Sequence, residues 1–372
     1  MRSYKVNDVS TDIPPIYLQL WGEDCAGLQL IGLVDPSPFR VWRSSGWKVR
    51  FAMVVTVIWC ATIYYMTKGN YGTRWPRSYQ NIRGRCTPGV VASRAAAVIS
   101  NYSNGHPVFL QLSEYFWVTK QSNLSLPCGT KGSEDTIMQV LAVTNYYHLP
   151  QEIERLQCKR CVVVGNGYRM KDSVLGDIIN TYDIVIRMND APVHKYEKDV
   201  GSKTTLRFFY PESAFSDPAL DNNPDTLMVL VPFKNNDVLW MKTIINDEKR
   251  LKQGFWRNPP IEWNVNPQNI RILDPYFMEF AATNLLGENK KTKNPKAKPT
   301  TGFMAISFAI HFCDMVHIAG FGYPDLNDTQ PFHYYDNSSI KISKDSGHKV
   351  PLEAIAIRNL LQHHVIQNLT YF

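Results

Sequence analysis

The feature that most restricts the fold is a series of short apolar segments, rich in β-branched residues, that begins near residue 160. Six of them are separated by helical or turn-forming sequence, at residues 162–164, 183–187, 206–210, 227–231, 270–273 and 315–319. Strands buried on both faces of a sheet show such runs, and alternating helices are typical of parallel sheets. With helices predicted over 173–181 and 302–313, we expect an α/β fold. It would be a single large, mostly parallel sheet with helices on both faces.

Composition excludes several other classes of protein. The chain has 372 residues, of which 44% are hydrophobic and 20% charged. These are ordinary globular values, unlike those of collagen-like, coiled-coil or low-complexity chains. The 40 Lys and Arg residues outnumber the 33 Asp and Glu residues, but the excess is spread along the chain. It therefore does not indicate nucleic-acid binding.

One uncharged run, residues 51–66, is apolar enough to predict a membrane span. It covers roughly 24 Å as a helix, short of a hydrocarbon core of about 27–30 Å, so the predicted span is extended to 49–66. The run starts too far from the amino end for a cleaved signal peptide. A buried core helix is the alternative; the basic flank at Lys48 and Arg50 and the Gly-, Arg-, Pro- and Ser-rich stretch 68–89 favour a signal anchor.

The charges around this run predict its orientation. Arg40, Arg43, Lys48 and Arg50 crowd its amino side, so the positive-inside rule places the amino end in the cytosol. The expected organisation is a cytosolic tail (1–48), a signal-anchor helix (49–66), a stem (67–85) and a lumenal catalytic domain (86–372). Residues 1–43 have no assigned role and are compatible with an upstream extension of the gene.

Sequons and cysteines agree with a lumenal domain. Five N-glycosylation sequons follow the apolar run, at Asn101, Asn123, Asn327, Asn337 and Asn368. Five of the seven cysteines also follow it: Cys86, Cys128, Cys158, Cys161 and Cys313. The Cys158–Cys161 pair is compatible with a redox or zinc motif. No second close Cys or His pair completes a zinc site, so two separate disulfides are favoured.

Two segments have the composition of ligand-binding turns. Gly165-Asn166-Gly167 follows the first predicted strand, where glycines allow a phosphate to approach backbone N–H groups. Met170 replaces the third glycine of a dinucleotide motif, and Asp183 precedes a strand rather than ending it, so a nicotinamide-dependent oxidoreductase is the weaker alternative. Thr300-Thr301-Gly302 predicts either an ordinary helix N-cap or a ribose and phosphate contact. The adjoining residues 288–299, with five lysines, predict a solvated loop.

Two histidines are paired with acidic residues late in the chain. His333 precedes Asp336 by three residues, and His348 precedes Glu353 by five. Histidine transfers protons near neutral pH, and a neighbouring carboxylate can orient the ring. No Asp-x-Asp sequence occurs, which argues against metal-bridged binding of a nucleotide sugar.

Four sequence blocks resemble those of a known family in the same order. The segments CVVVGNG, YDIVIRMNDAPV and DVGSKTTLR, within residues 161–207, resemble the large sialylmotif of animal sialyltransferases. Residues 299–322 resemble the small sialylmotif, 333–336 the third motif, and His348 with Glu353 the very small motif. Segments such as EYFWV and GFWRNPP are most similar to the β-galactoside α-2,3 branch, types IV and VI.

The resemblance implies a Golgi type II membrane enzyme that transfers N-acetylneuraminic acid from CMP-N-acetylneuraminic acid to the 3-hydroxyl of terminal galactose. Its expected acceptors are Galβ1-4GlcNAc and, second, Galβ1-3GalNAc on glycoproteins and glycolipids. The implied fold is a metal-independent variant of the nucleotide-sugar glycosyltransferase (GT-A-like) fold, without a cofactor. A non-catalytic, sialyltransferase-like glycan-binding protein is the alternative.

The resemblance also assigns roles to individual residues. It implies CMP contacts at Asn166, Gly167, Asn189, Thr300, Thr301, Gly302 and Gly322. His333 would bind the donor phosphate, and His348 would be the base of an inverting single displacement. The implied disulfides are Cys161–Cys313 and Cys86–Cys158. Cys128 departs from the family pattern, so a free thiol, an intermolecular bridge and altered pairing remain open.

Overall fold

The computed structural model describes residues 46–69, 86–113, 123–144, 149–287, 298–322, 331–337 and 348–370. Most of the predicted tail and stem, the lysine-rich residues 288–297 and the Asn327 sequon lie outside these ranges. The chain divides into two compact units, Met1–Arg83 and Gly84–Phe372.

In the first unit the structure describes one helix, α1, from Trp47 to Gly69. It contains the whole predicted segment 49–66, and apolar side chains such as Phe51, Val57 and Trp59 are exposed on it. Within the described ranges, no helix meets the length and apolarity required to cross a membrane.

The second unit is built on one seven-stranded parallel sheet, in the order β5-β4-β3-β2-β1-β6-β7. Its strands are β1 (Arg160–Val164), β2 (Ile184–Met188), β3 (Leu206–Phe209), β4 (Leu227–Leu230), β5 (Ile270–Ile272), β6 (Met315–Ala319) and β7 (Gln367–Asn368). The prediction of a mostly parallel sheet is confirmed, and each of the six predicted segments overlaps a strand. The short β7 was missed because two residues carry no detectable pattern.

Of the helices that the structure describes in this unit, three precede β1 along the chain, and the other six lie between strands. They are α2 (Val90–Val98), α3 (Glu134–Thr144), α4 (Gln151–Glu154), α5 (Gly176–Asn180), α6 (Glu197–Val200), α7 (Asn235–Ile245), α8 (Tyr276–Phe280), α9 (Thr301–Phe312) and α10 (Val350–Gln362). A π-helical turn, Ala281–Leu285, extends α8.

The predicted helix over 173–181 is shorter than expected. Asp172 and Val174 have φ angles of 58° and 53°, which an α-helix does not allow. The carboxylate of Asp199 accepts hydrogen bonds from both of their backbone N–H groups, at 3.0 and 2.9 Å. This long-range partner stabilises a turn where the local sequence predicts helix.

Both faces of the sheet are covered by apolar residues. Successive residues of β3 show the alternation, because Phe208 packs in a cluster with α9 whereas Phe209 packs in a cluster with α7. Helix α9 is buried on nearly all sides, which explains why its sequence is apolar around its whole circumference.

Two disulfides link distant parts of this unit. Cys86 pairs with Cys158, and Cys161 in β1 pairs with Cys313 at the end of α9, as the resemblance implied. Cys128 is a buried free thiol, and burial raises its pKa to about 11. Of the alternatives left open for this cysteine, the structure has the free thiol.

Candidate functional site at the carboxyl edge of the sheet

The predicted site residues converge where the chain changes direction across the sheet. Strand β1 lies between β2 and β6, so successive strands run to one side of β1 and the last two to the other. In open parallel sheets, ligands bind outside the carboxyl ends of the strands at such a switch point. Asn166 follows β1, Asn189 follows β2 and Gly322 follows β6. We call this region the donor crevice.

Two asparagines in the donor crevice have unused hydrogen-bonding capacity. The Oδ1 atoms of Asn166 and Asn189 are buried and have no hydrogen-bond partner among the described residues. Asn189 has a φ angle of 56°, and its N–H donates to Phe208 O at 2.7 Å. A buried acceptor without a partner is costly, so these oxygens are suited to the N–H or O–H donors of a bound ligand.

The glycines after β1 are required for close contact with β6. A Cβ atom at Gly167 would lie 2.4 Å from Gly320 O. The N–H groups of Gly165 and Gly167 donate to Ala319 O and Gly320 O at 2.7 and 3.0 Å. They are therefore engaged within the protein, which corrects the prediction that these amides receive a phosphate.

Gly322 and Gly302 also mark close approaches in the crevice. Gly322 has a φ angle of 129°, and a Cβ there would lie 2.8 Å from Arg169 Nε. A Cβ at Gly302 would lie 3.2 Å from Met188 Sδ, at the end of β2, and 3.1 Å from the ring of Phe321. The first turn of α9 therefore lies beside the carboxyl ends of β2 and β6.

Thr300 is the N-cap of α9. Its Oγ1 accepts a hydrogen bond from Phe303 N–H at 3.2 Å and donates to Glu353 Oε2 at 2.7 Å. Its N–H donates to Glu353 Oε1, also at 2.7 Å. Glu353 is fully buried, so this carboxylate from α10 fixes the start of α9. The N–H and hydroxyl of Thr300 are engaged and Phe303 N–H is capped, whereas the N–H groups of Thr301 and Gly302 have no partner within the helix.

His333 is attached to the turn after β1. It forms an isolated antiparallel bridge with Gly167, and Tyr334 N–H donates to Asn166 O at 3.1 Å. His333 Nδ1 lies 2.8 Å from Asp336 Oδ2, which confirms the predicted pairing of these residues. Because a carboxylate only accepts, Nδ1 carries the proton and Nε2 is left for a ligand. The imidazole also stacks on Tyr335 at 4.9 Å.

His348 is held differently from the sequence prediction. Its Nδ1 donates to Lys298 O at 2.6 Å, two residues before the N-cap of α9. Glu353, the acidic neighbour predicted to orient it, binds Thr300 with both oxygens instead. A carbonyl also only accepts, so neutral His348 has its lone pair on Nε2. The exposed ring is thereby prepared to accept a proton at that atom.

Two buried arginines beneath the crevice were not singled out from the sequence. Arg207 Nη1 donates to Asn189 O at 2.9 Å and to Ala191 O at 3.0 Å, and its Nη2 donates to Asp221 O at 2.8 Å. Arg187 donates to the carbonyls of Val200 and Gly201 at 2.7 and 2.9 Å. Burial lowers the pKa of Arg187 to about 9 and that of Arg207 to about 10. The signal in the sequence that could have found them is a charged residue within an otherwise apolar strand.

Three of the predicted glycosylation sites, Asn101, Asn123 and Asn337, are exposed. Asn368 lies in β7, and its Nδ2, the atom that would carry a glycan, is buried. In the described part of the chain, no group of three or more His, Cys, Asp and Glu side chains is arranged to hold a metal ion.

Residues 109–365 match the family profile described as glycosyltransferase family 29 (sialyltransferase). A rat protein named CMP-N-acetylneuraminate-beta-galactosamide-alpha-2,3-sialyltransferase 4 is 54% identical over 289 residues, covering 77% of this chain and 86% of the relative. A human CMP-N-acetylneuraminate-beta-1,4-galactoside alpha-2,3-sialyltransferase is 38% identical over 291 residues, 77% of each chain.

The fold has a match among solved structures as well. A crystal structure of a mammalian sialyltransferase superimposes with a TM-score of 0.58 at 25% identity, covering 78% of this chain and 98% of that one. The predicted resemblance is confirmed by these comparisons: this chain belongs to glycosyltransferase family 29, the sialyltransferases.

Proposed function

We propose that this protein transfers N-acetylneuraminic acid from CMP-N-acetylneuraminic acid to the 3-hydroxyl of terminal galactose. Its acceptors are Galβ1-4GlcNAc and, as a second choice, Galβ1-3GalNAc, on glycoproteins and glycolipids. The observation that carries the proposal is that both motif histidines are present and attached to one crevice. His333 is joined to the turn after β1, and His348 to the segment before α9. The relatives named as α-2,3-sialyltransferases support the same reaction.

The donor crevice suits a cytidine nucleotide. The buried Oδ1 atoms of Asn166 and Asn189 would accept hydrogen bonds from its amino or hydroxyl groups. Gly302 and Gly322 lie in the crevice at positions where a side chain would collide with Met188, Phe321 or Arg169. The first turn of α9 offers N–H groups and the positive end of a helix dipole to the phosphate.

His348 is the base of the reaction. As the galactose 3-hydroxyl attacks the anomeric carbon of the donor, its proton passes to Nε2 of His348, the atom that the Lys298 contact leaves unprotonated. The bond between the anomeric carbon and the phosphate oxygen breaks, and CMP departs with the bonding electron pair. Attack from the face opposite to CMP inverts the anomeric configuration.

His333 stabilises the departing phosphate. Asp336 fixes its Nδ1–H, so Nε2, when protonated, donates a hydrogen bond to the CMP phosphate. Together with the first turn of α9, this gives the leaving group fixed donors, in a variant of the nucleotide-sugar transferase fold that does not use a metal.

The same proposal includes the location of the enzyme. Residues 49–66 would anchor it as a type II protein in the Golgi membrane, with a cytosolic tail of 1–48, a stem of 67–85 and a lumenal catalytic domain of 86–372. The exposed apolar side chains of α1 support an anchor. The two disulfides support an oxidising, lumenal compartment.

The first experiment uses the full chain in detergent. It is incubated with CMP-N-acetylneuraminic acid, a metal chelator and a panel of galactose-terminated acceptors, and the product linkage is determined. We expect an α-2,3-linked product on Galβ1-4GlcNAc despite chelation. A different linkage would refute the assigned acceptor hydroxyl. Absence of any product from folded protein that binds CMP would favour the non-catalytic alternative.

A further inference from the structure

A segment outside the sialylmotifs runs along helix α7 from one edge of the sheet toward the other. At its start, Gln253 O accepts a hydrogen bond from Asn236 Nδ2 at 3.4 Å, in the first turn of the helix. Further on, Pro260 O accepts one from Trp240 Nε1 at 3.1 Å. Because α7 follows β4 and leads back to the parallel strand β5, its first turn lies at the carboxyl edge. The part of the segment near Asn236 therefore lies at the same edge as the donor crevice.

Charged side chains fasten this part of the segment to the ends of three strands. Arg257 Nη1 lies 2.9 Å from Asp190 Oδ2, directly after Asn189 and β2. The N–H of Trp256 points to Glu212 Oε1, which follows β3, at 3.4 Å. Lys234, which follows β4, forms an ion pair with Glu212 at 2.6 Å. Its ammonium also lies 5.1 Å from the centre of the Phe255 ring. We call residues 253–257 the acceptor strap.

The strap exposes one large aromatic ring while its backbone is fixed. Trp256 is 73% exposed, although its neighbours Phe255 and Arg257 both have partners. Burial of an indole stabilises a folded chain, whereas the fixed backbone here holds this ring in water, where its face is open to a ligand. A flat aromatic face is complementary to the C–H face of a sugar ring, whose hydroxyls stay in water.

We propose that Trp256 is an aromatic platform for the acceptor saccharide, and this inference rests on the proposed function. The sheet order separates the two substrates. The nucleotide contacts follow β1, β2 and β6, whereas Trp256 is attached beside the ends of β3 and β4. The ion pair between Arg257 and Asp190 connects the platform to the residue next to Asn189. The platform therefore borders the donor crevice on the side that the nucleotide leaves open.

The test compares three variants of the full chain in detergent. We expect Trp256→Ala to raise the KM for Galβ1-4GlcNAc about tenfold, the loss of one ring contact, with the KM for CMP-N-acetylneuraminic acid unchanged. Trp256→Phe should restore most of the acceptor KM. Ile261→Ala is the matched control, because Ile261 is 68% exposed on the continuation of this segment, beyond the end of α7. It should leave both KM values unchanged.

Three results would overturn the platform. They are an unchanged acceptor KM in Trp256→Ala, an equal rise of the donor KM together with a lower Tm, and an equal effect of Ile261→Ala. A separate measurement distinguishes these from failure of the proposed function. If the wild-type chain binds CMP without transfer, binding of Galβ1-4GlcNAc in the presence of CMP is measured by calorimetry. Weaker binding by Trp256→Ala would then support the platform, and unchanged binding would overturn it.

Discussion

The donor crevice and the acceptor strap lie at the same edge of one sheet but are held together by different interactions. In the crevice, backbone groups bond directly between the turns after β1 and β6, and glycines allow distances that no side chain would permit. The strap is connected through charged side chains: Arg257 pairs with Asp190, and Glu212, itself paired with Lys234, accepts from Trp256 N–H. Substitutions should therefore be tolerated far better in the strap than in the crevice. The contacts to the acceptor can then change while the site for the donor stays the same.

The largest expected effect is on the chemistry beside the crevice. Replacing His348 by Ala removes the proton acceptor, and we expect kcat to fall about 10³-fold while CMP binding persists. Initial rates and calorimetric titration with CMP measure the two quantities. His363→Ala is the control, because His363 is another exposed histidine whose Nδ1 binds a carbonyl, Asn359 O, at 2.9 Å. Near-normal turnover by His348→Ala would exclude it as the base.

The next prediction concerns the stability of the crevice. Glu353→Ala leaves the N–H and hydroxyl of Thr300 without their carboxylate partner, and we expect a loss of about 3 kcal/mol in the free energy of unfolding. CMP affinity should fall as well, because the start of α9 loosens. Urea denaturation and CMP titration provide the measurements. Ile355→Ala, at an exposed position on the same helix, should change neither. A fully stable Glu353→Ala would show that the crevice does not depend on this contact.

In the strap region, the contribution of one buried carboxyl group to the free energy of unfolding should depend on pH. Burial raises the pKa of Asp237 from 3.8 to about 6, with Lys234 as its ion-pair partner at 3.3 Å. The folded state therefore binds a proton more tightly than the unfolded state. The stabilisation that this tighter proton binding gives at low pH is lost as pH rises from about 4 to about 6. Asp237→Asn should remove that decline, whereas Asp247→Asn, at an exposed position, should keep it. Urea midpoints at several pH values test this, and an unaltered decline in Asp237→Asn would exclude Asp237 as its source.

The smallest effect is expected at the outer connection of the strap. The side chain of Arg257 is 56% exposed, so its ion pair with Asp190 contributes less than about 1 kcal/mol. Arg257→Gln should leave Tm nearly unchanged and raise the KM for the acceptor about twofold at low salt. Lys252→Gln removes a neighbouring exposed charge and serves as control. Kinetics at two salt concentrations measure the change in KM, and thermal melts measure the change in Tm. A large fall in Tm would show that the strap stabilises the fold as the crevice does.

Much of the fold was predictable because its signals are local. The apolar strands reveal themselves by composition, and the helix that became α9 was predicted to within one residue at each end. The limits of α5 were not predictable, because Asp199, far along the chain, binds the N–H groups of Asp172 and Val174.

The candidate site was predicted as a set of residues rather than as an arrangement. Asn166, Asn189, Gly302 and His333 do lie at one edge, and their roles toward CMP remain predictions. The partner of His348 was predicted incorrectly, since sequence proximity suggested Glu353 but the carbonyl of Lys298 holds the ring. The buried Arg207, which fixes the Asn189 turn, was not singled out because one arginine in a strand gives no indication of its partners.

By itself, the sequence determined the parallel α/β class, the six main strands and, through its motifs, the family and both disulfides. These follow from local periodicity, or from residue patterns that act as a signature. The tertiary structure alone decided the strand order, the junction between β1 and β6, the bond between Thr300 and Glu353 and the position of the strap. Each of these joins groups that are far apart in the sequence. A hydrogen bond or packing contact across such a distance depends on how the whole chain closes, and local patterns do not encode it.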